Sequence, residues 1–65
     1  MMKFTDMDML LDYEKDTRMA AMAYAIIQTE IIDPNLRTLF GKIAVEAAES
    51  QKKAANLILS RGDRP

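Results

Sequence analysis

Asp33-Pro34-Asn35-Leu36-Arg37 stands almost at the midpoint of a 65-residue chain, and its reading decides the fold. Asp is a strong helix N-cap, because its carboxylate accepts from the free N–H groups of the first turn. Pro fits the first helical position, where its missing N–H costs nothing and its φ is already helical. Pro34 also disfavours helical geometry at Asp33, so a helix arriving from the N-terminal side must stop there. The stretch therefore ends one helix and begins another. The sequence predicts an all-α, antiparallel helical hairpin with its single turn at Asp33 and Pro34.

On the N-terminal side, Thr5 and Asp8 have capping-box spacing, and Asp6 and Asp8 suit the positive end of a helix dipole. Helix 1 is expected over about residues 6–32. Met7, Leu10, Leu11, Ala21, Tyr24, Ala25, Ile31 and Ile32 recur at steps of three and four, with Glu14, Thr17 and Gln28 interrupting them. Glu14 and Arg18 make an i,i+4 pair in the favourable order. Helix 2 is expected over about 34–60. Leu36, Phe40, Ile43, Leu57 and Ile58 are the candidate hairpin core. Gly62 follows as a stop, since glycine readily takes the left-handed conformation past a helix end. Residues 61–65 form a short tail, and the whole chain is one domain.

The segment from Met19 to Ile27 is apolar around the entire helix. A helix apolar on all sides is normally covered on all sides. Met19, Met22, Ala23, Ile26 and Ile27 are therefore the candidate interface of a homodimer, two hairpins closing a four-helix bundle.

Composition narrows the chemistry. The chain has no Cys and no His, which removes the thiolate and imidazole ligands and the commonest general base. Nine basic and ten acidic residues nearly cancel, so no basic field for nucleic acid exists. The apolar run is too short to span a bilayer and is placed wrongly for a secretory signal. A cytoplasmic, non-enzymatic protein is expected, with no cofactor, no nucleic-acid partner and no membrane. Arg61-Gly62-Asp63 spells an adhesion tripeptide, but helix capping already accounts for its glycine.

Carboxylates offer the one alternative chemistry. Glu46 and Glu49 are three apart on helix 2, and folding about residue 33 brings Glu14 within a turn of their level. Two copies would gather six carboxylates, a metal site without nitrogen ligands, in a carboxylate metal-binding protein or a vestigial di-metal oxidase. The competing reading makes all three surface charges, with Arg18, Lys52 and Lys53 as ion-pair partners.

Tyr24, Leu36-Arg37, Glu46, Gln51, Asn56 and Arg61-Gly62 occur in an order and spacing that resemble the spore coat protein F-like family of endospore-forming bacteria. The resemblance covers roughly residues 10–62. It departs from the family where Glu46-Ala47-Ala48-Glu49 replaces an acidic segment with His, and where Asp63 and Arg64 replace aromatic residues. It implies a ferritin-like helical arrangement, of which this chain is half a unit. It also implies a structural, spore coat-associated role with coat or other protein partners, rather than catalysis.

Overall fold

The computed structural model describes residues 5–65, which form two α-helices, α1 (Asp6–Glu30) and α2 (Pro34–Ser60), packed antiparallel as a hairpin. Thr5 caps α1 reciprocally. Its hydroxyl accepts from the Asp8 N–H at 3.1 Å, and its own N–H donates to Asp8 Oδ2 at 3.0 Å. Asp33 caps α2, its carboxylate accepting from the Asn35 N–H at 3.4 Å, with Pro34 in the first turn.

Helix α1 stops at Glu30, two residues before the sequence reading placed its end. Pro34 holds Asp33 extended, at φ −62° and ψ 120°, and Ile31 is already extended at φ −83° and ψ 127°. Three non-helical residues are needed to reverse the chain. Ile32 is consequently 94% exposed at the turn rather than on the apolar stripe.

The helices meet along a seam with alternating steps of four and three. On α1 and its exit the seam positions are Leu10, Glu14, Thr17, Ala21, Tyr24, Gln28 and Ile31; each is buried or half-buried. On α2 they are Phe40, Ala44, Ala47, Gln51, Ala54 and Ile58, again all buried or half-buried. This is the 3.5-residue repeat that keeps one line of side chains facing a partner helix. Tyr24 and Phe40 tilt together with ring centroids 6.1 Å apart.

Four of the thirteen seam positions are alanine, so the line of contact is narrow. Among the described residues, only Ala44, Ala54 and Ile58 are buried apolar residues. Phe40 and Ile43 are half-buried. Leu36 and Leu57 were expected inside the hairpin and are instead 48% and 43% exposed. They lie one residue before seam positions in the repeat, on its flank, because alanines rather than leucines form the seam.

Gly41 lies under Gln28, and a Cβ there would come 2.9 Å from Gln28 Cδ. At the far end, Gly62 takes φ 82° and lets its N–H donate to the Leu59 carbonyl while Asp63 N–H donates to that of Ile58. This double bond pattern satisfies carbonyls that the helix end leaves free.

Two outcomes follow from these contacts. Gly41→Ala should add about 1 kcal/mol of helix propensity when Gln28 is already Ala, and at least 0.5 kcal/mol less, roughly, when Gln28 is present. Equal effects in the two backgrounds, measured by denaturant melts, would show that Gln28 does not depend on the glycine. The Thr5 hydrogen bonds, the backbone donor first, favour the ionised Asp8 carboxyl and hold it below its ordinary value of 3.8. The cap's contribution is thus present above 3.8 and lost as pH falls through the lower, folded value. Nuclear magnetic resonance titration should place Asp8 below its ordinary value in the wild type, and Thr5→Val should raise it.

Candidate functional site

The most unusual group among the described residues is a carboxylate in the middle of the seam. Glu14 is 1% exposed, the one buried charged side chain. The 4-3 repeat places it on the face of α1 that meets α2, level with Gln51, the two being nearly equidistant from the turn. Gln51 Nε2 donates to Glu14 Oε2 at 2.7 Å. Arg18, one turn further along α1, brings Nη2 to 3.5 Å from Glu14 Oε1 and keeps half of its own side chain in water.

Thr17 completes the polar stretch without crossing it. Its hydroxyl lies 2.9 Å from the Tyr13 carbonyl and 3.0 Å from that of Glu14, so it is satisfied within α1. No buried side-chain polar atom among the described residues lacks a partner. The sequence reading that made Glu14 a surface charge is thereby corrected, although its pairing with Arg18 is present. The physical reason is register: Glu14 falls on the seam line, and Gln51 arrives opposite it with a donor.

Glu46 and Glu49 are exposed on α2. The described residues contain no cluster of three or more metal-capable side chains, so one chain does not gather Glu14, Glu46 and Glu49. No cavity opens among them either. The Glu14 carboxylate is engaged by an amide and a guanidinium. Such an arrangement fixes register and presents no free base or nucleophile.

The other functional candidates lie on the outside. Met19, Met22, Ala23, Ile26 and Ile27 are all exposed. At spacings of three and four they share one side of α1, which runs from the back of the helix round to its flank. Met19 and Ile26, seven apart, mark the back of α1, and Ile27, which immediately precedes the seam position Gln28, marks the side of the stripe that flanks α2. Tyr13 is also exposed, and so is Met9. Among the described residues, twelve large apolar side chains are at least 40% exposed, from Met9 to Leu59. No helix of these residues is long and apolar enough to cross a membrane.

Gln51 entered the sequence reading only through the family resemblance, and Ala44 and Gln28 entered no core. The signal for all three was the 4-3 spacing followed through polar and small residues alike. Compared with protein-family models, curated proteins and solved structures, the chain matches none.

Gln51→Leu should lower stability by about 2 kcal/mol, because it strips a buried carboxylate of its seam donor. Glu14→Leu combined with Gln51→Leu should recover most of that loss, as an apolar pair often replaces a buried polar one without cost. Denaturant melts of the two single variants and the double variant measure this. Additive losses would show that Glu14 and Gln51 do not act as a pair.

Proposed function

We propose that this chain is a small non-catalytic assembly protein whose working form is a homodimeric four-helix bundle. The observation that carries the reading is the imbalance of its surface. Three apolar residues are buried, while twelve large ones remain substantially exposed among the described residues. A single hairpin of this size buries too little to be secure alone. Pairing with a second copy covers the excess and supplies a shared core.

The absence of His and Cys and the occupied Glu14 carboxylate favour a structural role over a catalytic one. The positions resembling the spore coat F-like family point the same way, toward a ferritin-like half-unit that contributes to a coat or another protein layer. Met19, Met22, Ala23, Ile26 and Ile27 belong to the uncovered surface from which such contacts are made.

Sedimentation velocity at micromolar concentration should give about twice the 7.4 kDa mass of the chain. Its melting temperature should rise with protein concentration, because assembly and folding are linked when the core is shared. A folded 7.4 kDa species with a concentration-independent melt would refute the proposal.

A further inference from the structure

The two helices packed side by side make a plate one helix thick with two broad faces. The seam repeat sorts the side chains between these faces. Residues that immediately precede one set of seam positions on each helix, spaced by seven, point to the same side of an antiparallel pair. On α1 these are Asp6, Tyr13, Ala20 and Ile27, and on α2 Leu36, Ile43, Ser50 and Leu57, with Asp6 and Leu36 continuing the lines one repeat beyond the seam. Asp6, at the first position of α1, is the sole charged residue among them, and Ser50 is the sole uncharged polar one.

The opposite face is built differently. Its corresponding positions are Leu11, Arg18 and Ala25 on α1 and Gly41, Ala48 and Ala55 on α2. It carries one large apolar side chain and a guanidinium already engaged with Glu14. The back of α1, with Met19, Met22 and Ile26, is an edge of the plate to which α2 contributes nothing.

We infer that a second copy of this chain docks on the broad face formed by Tyr13, Ala20, Ile27, Leu36, Ile43 and Leu57. The inference rests on the self-association proposed above and names the surface that makes it. Area supports a second copy as the occupant. A compact monomer of 7.4 kDa exposes about 4,200 Å² by the scaling of surface with mass. This chain exposes 5214 Å², an excess of about 1,000 Å². A stable interface removes about 800 Å² from each partner. The excess is therefore close to what one such interface needs. Shape agrees, because an isologous two-fold contact requires one patch that fits itself. A flat face with bulky residues at both ends and Ala20 and Ser50 near its middle meets that requirement.

Sedimentation equilibrium of Ile43→Glu and Ile26→Glu tests the assignment. Ile43→Glu should raise the dissociation constant at least about 100-fold, since each dimer would enclose two unpaired carboxylates. Ile26→Glu should leave it within about threefold of the wild type, because a charge on a solvated edge is cheap. The reverse ranking would overturn the assigned face while leaving self-association intact. A monomeric wild type would overturn both.

Labelling keeps the test valid if Ile43→Glu fails to fold. The chain has no native cysteine, so a single introduced thiol reports one position. In the dimer, Ser50→Cys should resist alkylation and become reactive on dilution, whereas Met22→Cys should react freely at all concentrations. Equal reactivity in a sample shown to be dimeric would place the contact elsewhere.

Discussion

The hydrogen bond from Gln51 Nε2 to the buried Glu14 carboxylate is the contact on which the arrangement of the two helices depends. An alanine-lined seam has little shape of its own. A slide by one repeat would exchange alanine for alanine only between Ala47 and Ala54, and would part Tyr24 from Phe40. The buried carboxylate adds a second penalty. Shifting either helix by seven residues would separate it from its donor and leave a charge inside without a partner. The pair thus contributes uniqueness more than stability, the role best attested for polar groups inside helical seams. Arg18 holds the carboxylate's other oxygen from the solvent side, so the group is satisfied at both ends.

The seam also determines what the surface looks like. Ala21, Ala44, Ala47 and Ala54 leave no room between the helices for large side chains. Tyr13, Ile27, Leu36 and Leu57 are displaced onto the flanks, each in partial contact with the hairpin and partly in water. A seam built of leucines would have absorbed much of the chain's apolar content and left a more self-sufficient hairpin. The alanine seam instead moves that content outward. Interior and surface are consequences of one choice of residues along one line.

The turn was plain in the sequence because its signal is local. Asp33 and Pro34 act through covalent geometry and a one-turn cap, and no distant residue can override them. The same holds for Thr5 with Asp8 and for Gly62. The seam was harder to read because apolarity was a poor guide to it. Glu14, Thr17 and Gln28 looked like interruptions, yet they occupy the line of contact, while Leu36 and Leu57 looked like core and flank it. Which polar residues are buried depends on what stands opposite them. Gln51 became a partner for Glu14 only once the hairpin's register was known. Function was less legible still, because without His or Cys the sequence carries few residue types whose spacing names a chemistry.

The proline at the turn has a further consequence for how copies of this chain can combine. Two hairpins can join by laying intact faces together, or by opening and exchanging helices. Exchange is the low-cost route to many dimers, and it proceeds through a hinge that straightens. In a helical hairpin the straightened form is one long helix running through the former turn. Pro34 obstructs that form directly: it has no N–H to give to the Glu30 carbonyl, and its ring would collide with that carbonyl in a continuous helix. Asp33, held extended by the same ring, removes the preceding step as well. Pro34 thus favours the closed hairpin over the straightened form that helix exchange would require.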